Sequence, residues 1–375
     1  MERDILLVTL GFPPARGGIQ SWLYQRASFA AERIVVAAPA APGAREFDAR
    51  QPFPVVRWPA LGRGVPGWRR LTQFLFPLCL FPLLRRRYPF QMLECGQALP
   101  FGVAARLIHK WWGVPYRIWA FGDDIRKPAV RWWARPFLTA ALQKADRVLA
   151  ISGFTQGLVA ATGYPEQQIE VIHPFLGLPG AGGTAAPARG DGPVLLTVAR
   201  LERRKGVHVM LSLVPRLRRR FPGLRYWIVG DGPERRRLEA LARALGIADA
   251  VRFWGDVPDA DLPAVYTASD LFVLLPTPDE EDGEVEGFGM VYLEAAACGV
   301  PAVAWRTGGV AEAVVDGVTG LVVPAGDAGA AGDAIEHLLA DSVLRREMAD
   351  AAKAHAGAVA ERTRASLRRL DEGHG

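Results

Sequence analysis

The stretch "VLLTVARLERRKGVHVML", residues 194–211, joins an apolar run of strand length to an amphipathic helical stretch. Its strand is expected to end at Ala199, and its helix to begin near Gly206. An unbroken apolar strand is typical of a parallel sheet that is buried on both faces. The stretch therefore predicts one strand–loop–helix step of an α/β domain.

The same alternation recurs along both halves of the chain. The first half contains the apolar runs "ILLVTL", "RIVVAAP", "FQMLEC", "YRIWAF" and "RVLAIS", and the second half contains "VLLTVA", "RYWIVG", "VRFWG", "LFVLLP", "PAVAW" and "GLVVP". Such alternation favours doubly wound parallel sheets. Because single cores stop growing near ~250–300 residues, the length of 375 residues predicts two Rossmann-like domains facing a central cleft.

Composition suggests where these domains begin and end. Residues 176–192 are rich in Gly, Pro and Ala and have no periodicity, which is typical of a linker. We therefore place the first domain at residues 1–175 and the second at residues 193–355. Residues 356–375 are predicted to form a C-terminal helix, and the sequence leaves open whether this helix packs back on the first domain.

Composition also narrows the compartment and the partners. Three scattered cysteines without metal-ligand spacing, and a start that lacks the features of a signal peptide, favour the cytoplasm. The net charge of +6 is compatible with anionic lipid and with phosphorylated small molecules. The sequence contains no basic stripe with interleaved aromatics, so nucleic acid is not an expected partner.

An anionic membrane surface, at the inner face of the plasma membrane, is one alternative partner. Residues 71–84, "LTQFLFPLCLFPLL", are too short to span a bilayer but are flanked by arginines. The pattern fits a segment lying on a bilayer and fits equally well a helix that covers its own domain. Tryptophan suits a bilayer interface. Five tryptophans fit either that interface or positions in a core or groove: Trp68, Trp111, Trp112, Trp132 and Trp133.

Ligand-binding residues are expected in loops after strands, because open parallel sheets bind ligands beyond the carboxyl ends of their strands. Gly17 and Gly18 precede a helix, where they either admit an anion or form a tight turn. Gly230 and Gly232 lack the third glycine of a dinucleotide fingerprint and are interpreted as a turn. Asp259–Asp261 has the spacing of some metal sites, but helix capping explains it better.

Two cations of the opening stretch are placed unusually. Arg200 and Lys205 lie beside a helix N-terminus, an end that already prefers negative charge. A diphosphate would explain both residues, since they would bind its oxygens and offset the charge on a departing phosphate. Their neighbours Arg203 and Arg204 are interpreted as solvated residues.

Two carboxylates bracket "EGFGMVYLE", residues 286–294. A helix is expected to begin at Met290, so Glu286 belongs to the loop and Glu294 lies more than one turn inside the helix. This spacing suits contacts with different parts of one extended ligand. Because the helix is strongly apolar, Glu294 is expected to be buried and to need a hydrogen-bonding partner.

Several motifs together carry a family resemblance. "GGIQSWL", "ARLERRKG", "VGDGPE" and the E-x7-E element "EGFGMVYLE", continued by "AAACGVPAVAWRTGGVAEAV" and "GVTGLVVP", resemble the retaining glycosyltransferase family 4 with the GT-B fold. The likeness spans nearly the whole chain. "GFPPARGGIQSWL" and "DGEVEGFGMVYLEAAACGVP" are most similar to the phosphatidyl-myo-inositol mannosyltransferase group, which uses GDP-mannose.

The resemblance implies roles for individual residues. Arg200 and Lys205 would hold the donor diphosphate, and Glu294 would bind the ribose. Glu286 would contact the donor sugar, and the glycines of the first domain would close the phosphate site. The implied donor-binding residues are Gly17, Gly18, Arg200, Lys205, Glu286, Gly287, Phe288, Gly289, Met290 and Glu294, of which Arg200, Lys205 and Glu286 are the catalytic candidates.

The loop "WAFGDDI" departs from the family pattern. Phe121 stands where many relatives have a histidine, so the polar contact of that histidine with donor sugar or acceptor is in question. Asp123 and Asp124 are candidates for acceptor binding, and capping of the following segment is the alternative.

The predicted function is a metal-independent, retaining transfer of a hexose to an acceptor hydroxyl on a lipid-linked molecule or a glycan. GDP-mannose is the favoured donor, a UDP-sugar is the alternative, and no cofactor is expected. Two other hypotheses are a non-catalytic nucleotide-binding regulator and a sugar-nucleotide epimerase of the same architecture.

Overall fold

The computed structural model describes residues 3–59, 78–178, 188–277 and 286–373. The chain divides into two compact units, Met1–Pro174 with Leu367–Gly375, and Phe175–Ser366. The domain limits proposed from sequence stay predictions, and residues 179–187 of the predicted linker lie outside the described residues.

The first unit is built on a seven-stranded parallel sheet. Its strands are β1 (Ile5–Val8), β2 (Ile34–Pro39), β3 (Val55–Trp58), β4 (Met92–Cys95), β5 (Tyr116–Ala120), β6 (Arg147–Ala150) and β7 (Ile169–Val171). They lie in the order β3-β2-β1-β4-β5-β6-β7, so strand order reverses beside β1, as in a doubly wound sheet. β1 and β4 are wholly buried, as expected of central parallel strands.

The helices of the first unit follow its strands. They are α1 (Gly18–Phe29), α2 (Ala44–Asp48), α3 (residues 78–87), α4 (Phe101–Trp112), α5 (Asp123–Val130), α6 (Arg135–Leu142) and α7 (Gly153–Ala160). Apolar residues of β1, β4, β5 and α4 form one continuous core, which includes Leu6, Leu93 and Ile118.

The second unit is built on a six-stranded parallel sheet in the order β10-β9-β8-β11-β12-β13. Its strands are β8 (Val194–Val198), β9 (Arg225–Val229), β10 (Val251–Gly255), β11 (Leu271–Leu274), β12 (Ala302–Trp305) and β13 (Gly320–Val323). Its helices are α8 (Val207–Arg220), α9 (Arg235–Ala244), α10 (Leu262–Thr267), α11 (Met290–Ala297), α12 (Val310–Ala313), α13 (Ala328–Ala340) and α14 (Ser342–Glu372). Order reverses at β8, so the loops after β8 and β11 share one region of the sheet edge.

The predicted strands and helix starts are found, with two kinds of difference. β3 and β7 were not predicted, because these edge strands have partly exposed residues and lack a continuous apolar run. The predicted C-terminal helix at residues 356–375 is instead the second part of one helix, α14, which begins at Ser342. Asp341, the C-cap of α13, separates α13 from α14.

The last turns of α14 join a buried charge cluster in the first unit, consisting of Arg26, Glu94, Arg117 and Asp371. Arg26 donates hydrogen bonds to Glu94 at 3.2 and 2.7 Å and to Asp371 at 3.1 and 2.6 Å. Arg117 lies 3.9 Å from Glu94 and donates to the Leu370 carbonyl at 3.0 Å. Burial by itself lowers the pKa of Arg26, but the two carboxylates outweigh it and raise that pKa above its ordinary value.

The candidate membrane segment is described only in part, because residues 71–77 lie outside the described ranges. Within α3, Phe81 and Leu84 are buried in the core, while Leu83 is exposed. The described part of the segment therefore fits the alternative of a helix that covers its own domain. Of the helices in the described ranges, none is both long and apolar enough to cross a membrane.

Candidate active site

The loop after β8 packs closely against the residue that follows β11, Leu275. It contains one 3-10 turn, Arg203–Lys205, and passes into α8 through Gly206, which has φ 67°. A side chain at Gly206 would be strained at this φ and would collide with the Leu275 carbonyl. The local sequence "RRKG" therefore fixes where Lys205 emerges from the sheet.

Lys205 and Glu286, 81 residues apart in sequence, form an ion pair at 2.5 Å. The backbone of Glu286 is held by the turn after β12, where the Gly309 N–H donates to the Glu286 carbonyl at 3.0 Å. Gly308 adopts φ 50° and passes so close to that carbonyl that a Cβ would collide with it. The turn "TGG" thus positions one candidate residue beside the other.

The pair belongs to a loop charge cluster, consisting of Arg200, Glu202, Arg204, Lys205 and Glu286. Glu202 accepts a hydrogen bond from Arg204 at 3.1 Å and forms an ion pair with Arg200 at 3.1 Å, and Arg204 lies 4.0 Å from Glu286. The side chain of Arg200 is 72% exposed and that of Glu286 is 13% exposed. Charges of alternating sign therefore run from solvent to a half-buried carboxylate.

Helix α11 begins at Met290, four residues after Glu286. Its N-cap is Gly289, with φ 87° and no side chain to cap the first turn. A Cβ on Gly289 would collide with the ring of Tyr292, whose hydroxyl donates to the Leu274 carbonyl at 2.8 Å. The amides at the start of such a helix point outward without intrahelical acceptors, which suits an anion.

Glu294 lies one turn further along α11 and has a separate partner. The Tyr266 hydroxyl, on α10, donates to Glu294 Oε2 at 2.8 Å. Burial raises the pKa of Glu294 to about 7, although the bond from Tyr266 acts in the opposite direction. Glu294 therefore has the hydrogen-bonding partner that was predicted for it. The two carboxylates of the E-x7-E element have different partners, Lys205 for Glu286 and Tyr266 for Glu294.

In the first unit, Asp124 links two loops at the carboxyl edge of the sheet. It accepts hydrogen bonds from the Phe121 N–H at 2.7 Å and from the Ala98 N–H at 3.2 Å. Burial raises the pKa of Asp124 to about 6. Gly122 is the N-cap of α5, and Asp123 and Asp124 lie in the first turn of that helix. The role of these two residues in acceptor binding stays a prediction.

Two further residues of the first unit bear on the predicted site. Gly17, with φ 149°, is the N-cap of α1, and Gly18 begins that helix, so both lie at an exposed helix start. Phe121 is buried, as expected of an apolar side chain in place of a polar one. The predicted roles of these residues stay predictions.

Comparison with known proteins places these sites in a family. Residues 185–355 match the family model described as Glycosyl transferases group 1, and residues 19–174 match the Glycosyl transferase 4-like domain. A GDP-mannose-dependent alpha-(1-6)-phosphatidylinositol monomannoside mannosyltransferase of Mycolicibacterium smegmatis is 34% identical over 361 residues, covering 90% of this chain and 89% of the relative.

This chain is a family 4 glycosyltransferase. A D-inositol 3-phosphate glycosyltransferase of Corynebacterium urealyticum is 41% identical over 166 residues, covering 42% of this chain and 38% of the relative. The family resemblance and the glycosyltransferase activity predicted from sequence are thus confirmed. The regulator and epimerase hypotheses find no support in these relatives.

Solved structures confirm the GT-B fold of the glycosyltransferase. HepE from Anabaena, in complex with UDP and glucose, has a TM-score of 0.79 and 20% sequence identity, covering 98% of this chain and 99% of its own. Sucrose-phosphate synthase from Thermosynechococcus elongatus has a TM-score of 0.77 and 21% identity, covering 99% of each chain.

The sequence analysis did not identify some residues of the site. Arg204 was interpreted as solvated, yet it lies in the loop charge cluster between two carboxylates, whereas its neighbour Arg203 is exposed. Tyr266, the partner of Glu294, had no local signal because it lies 28 residues away. The turn at Gly308 and Gly309 could have been found from one feature of the sequence, the pair of glycines that follows a predicted strand.

Proposed function

We propose that this glycosyltransferase moves mannose from GDP-mannose to a hydroxyl group of a lipid-linked acceptor, with retention of anomeric configuration. The name of the 34%-identical relative, which covers 90% of this chain, supports both the donor and a lipid-linked acceptor. The observation that carries the chemistry is the Lys205–Glu286 pair at the N-terminus of α11.

In the proposed reaction, the acceptor oxygen bonds to the anomeric carbon on the face that the diphosphate leaves. The bond from the anomeric carbon to the phosphate oxygen breaks, its electron pair goes to GDP, and the acceptor proton goes to the departing phosphate. Arg200 and Lys205 offset the growing negative charge, and the amides of Gly289 and Met290 add further donors. These three sources of positive potential support a metal-independent reaction.

Lys205 and Glu286 are proposed to exchange partners when the donor binds. Phosphate oxygens compete with the Glu286 carboxylate for the ammonium group of Lys205. Glu286, once displaced, accepts hydrogen bonds from hydroxyls of the transferred sugar. Glu294 lies about one helical turn inside α11, at a distance from Glu286 that suits the ribose of the same donor.

A cytoplasmic location is proposed together with this donor. The three cysteines are free thiols: Cys95 is buried, Cys298 partly buried and Cys79 exposed. An exposed free thiol suits a reducing compartment.

A nucleotide screen by thermal shift tests the proposal. Binding to the native state raises the unfolding temperature with affinity and concentration, so GDP should stabilise the protein more than UDP does. Lys205→Ala should weaken the GDP shift, whereas Lys144→Ala, an exposed lysine of the first unit, should leave it unchanged. An undiminished GDP shift in Lys205→Ala would rule out the diphosphate role, and a larger UDP shift would favour a UDP-sugar.

A further inference from the structure

We infer that Asp124 is a positioning residue of the transfer reaction, which fixes the loops after β4 and β5 at the edge of the first sheet. These loops are residues 96–100, after β4, and residues 121–122, after β5. β4 and β5 are neighbouring parallel strands, so the loops that follow them lie side by side. Open parallel sheets bind ligands at this edge. Asp124 thus acts through the backbone that surrounds a ligand, and not through the direct acceptor contact expected from the sequence.

The two carboxylate oxygens of Asp124 bind different loops. Oδ1 accepts a hydrogen bond from the Phe121 N–H at 2.7 Å, and Oδ2 accepts one from the Ala98 N–H at 3.2 Å. A carboxylate has acceptors on both oxygens, whereas a carboxamide or a protonated carboxyl group presents a hydrogen at one of these positions. The ionised aspartate therefore satisfies both N–H groups at once, and its neutral or amide form does not.

Gln97 joins a third loop to the same arrangement. It is 7% exposed, and its Oε1 accepts a hydrogen bond at 3.0 Å from the Leu10 N–H, in the loop after β1. The next residue in the chain is Ala98, which Asp124 holds. β1 and β4 flank the point at which strand order reverses, where doubly wound sheets bind their ligands. A displacement of Ala98 would therefore move the loops on both sides of that point.

Asp124 lies on a rigid support. Gly122 adopts φ 102°, a value that glycine tolerates, and the chain enters α5 directly after it. Ile125, next to Asp124, is fully buried in the core of the first unit, and the side chain of Phe121 is also buried. The chain is thus fixed on both sides of the carboxylate, whose bond to Ala98 restrains the loop after β4 against this support.

The charges near Asp124 determine the pH at which this arrangement changes. Burial raises the pKa of Asp124 to about 6, and Asp123 in the same helical turn adds to the rise, while the two backbone N–H donors oppose it. Lys127 lies 3.9 Å from Asp123. The two loops contain no titratable side chain. Of the helices packed on α5, α6 has Arg135, which is exposed, and α7 has no charged residue. Asp124 should therefore take up a proton, and lose one of its bonds, as pH falls through about 6.

Backbone amide NMR of the full chain tests the two bonds directly. From about pH 8 to about pH 5, the Phe121 and Ala98 amide resonances should shift with one common midpoint near pH 6. Asp124→Asn should abolish this midpoint. At least one of the two amides should then exchange with solvent about tenfold faster, because a hydrogen bond to a charged acceptor is lost. Glu166→Gln, which removes an exposed charge elsewhere in the first unit, should change neither amide. Unchanged amides in Asp124→Asn would overturn the inference.

Initial rates of mannose transfer test the positioning role, and this part rests on the proposed function. The probes are GDP-mannose and phosphatidylinositol monomannoside, the compounds in the name of the 34%-identical relative. Asp124→Asn should lower kcat/KM for the acceptor about tenfold, while KM for GDP-mannose changes less than about twofold, because most proposed donor contacts lie in the second unit. Asp124→Glu keeps two acceptor oxygens and should retain more activity than the isosteric Asp124→Asn. The fall in kcat/KM of the unmodified protein below about pH 6 should be absent from Asp124→Asn.

Three outcomes of these rate measurements have distinct meanings. Equal kcat/KM in Asp124→Asn and in the unmodified protein would overturn the positioning role, as would a larger loss in Asp124→Glu than in Asp124→Asn. Glu166→Gln should keep the full rate, and an equal loss in this control would also count against a specific role of Asp124. If the unmodified protein transfers no mannose from GDP-mannose, the proposed function fails, whereas the amide measurements still decide whether Asp124 fixes the two loops.

Discussion

The two charge clusters of the molecule differ in how far water reaches them. In the buried charge cluster of the first unit, the side chains of Arg26 and Glu94 are fully buried. In the loop charge cluster of the second unit, the side chain of Arg200 is mostly exposed, and those of Lys205 and Glu286 keep 14% and 13% of their surface exposed. Both contain arginines between carboxylates, so exposure rather than composition distinguishes them.

This difference predicts different functions. Separating a buried pair leaves a charge in a medium that solvates it poorly, so its partners cannot be exchanged without a large penalty. A partly exposed pair is weaker, because water and salt screen it, and an incoming anion can take one partner. The buried cluster therefore suits anchoring of α14, and the loop cluster suits binding of a substrate.

The largest expected effect comes from removing Arg26. Arg26→Ala leaves Glu94 and Asp371 buried without their main counter-charge, so the free energy of unfolding should fall by about 3–5 kcal/mol. Urea denaturation measures this change. Arg147→Ala breaks the exposed pair with Glu170 at 3.2 Å and should cost only about 0–1 kcal/mol. Equal losses in the two variants would contradict the distinction by burial.

The next effect concerns turnover. Glu286→Ala should lower kcat on the order of 100-fold, because the donor sugar loses an acceptor placed beside the reacting bond. GDP should bind at least as tightly as before, since Lys205 no longer has a competing carboxylate. Initial rates and GDP titrations measure the two properties, with Glu202→Gln as a control whose kcat should change less. Unchanged turnover in Glu286→Ala would exclude the sugar contact.

A smaller effect concerns pH. Burial raises the pKa of Glu294 from 4.5 to about 7. If the ionised carboxylate accepts hydrogen bonds from the ribose, GDP affinity should rise about tenfold from about pH 6 to about pH 8, as ionisation proceeds. Calorimetric titration across this range, with Glu294→Gln expected to be nearly independent of pH, checks the assignment.

The same residue predicts a pH dependence of stability with the opposite direction. A carboxyl group with a raised pKa in the folded protein favours folding below its unfolded pKa of 4.5, and this contribution is lost as pH rises through about 7. Glu294→Gln should therefore flatten the fall in unfolding free energy between these pH values. If the slope of unfolding free energy against pH is unchanged by the substitution, the pH dependence of stability belongs to other groups.

The smallest effect separates two adjacent arginines. Arg204→Ala should raise the KM for the donor about two- to fivefold, because Arg204 is a partly exposed residue 4.0 Å from Glu286. Arg203→Ala should leave KM unchanged, since Arg203 points to solvent. Steady-state kinetics on both variants decides whether Arg204 contributes to donor binding in addition to Lys205.

Much of this arrangement was predictable because it depends on local pattern. Apolar runs predicted the central strands, and the glycines before Met290 predicted the start of α11. The edge strands β3 and β7 escaped prediction because they are only four and three residues long, are partly exposed, and each includes a charged residue that interrupts the apolar run. A pattern based on burial is weakest where burial is incomplete.

The sequence by itself determined the two parallel sheets, the loops that follow their strands and the family motifs, because these depend on residues close together in the chain. Only the tertiary structure decided which charges meet. It paired Lys205 with Glu286 and Tyr266 with Glu294, and it buried Arg26 against Asp371, 345 residues away. Contacts over such separations depend on how strands are ordered in a sheet, and no local spacing encodes that order.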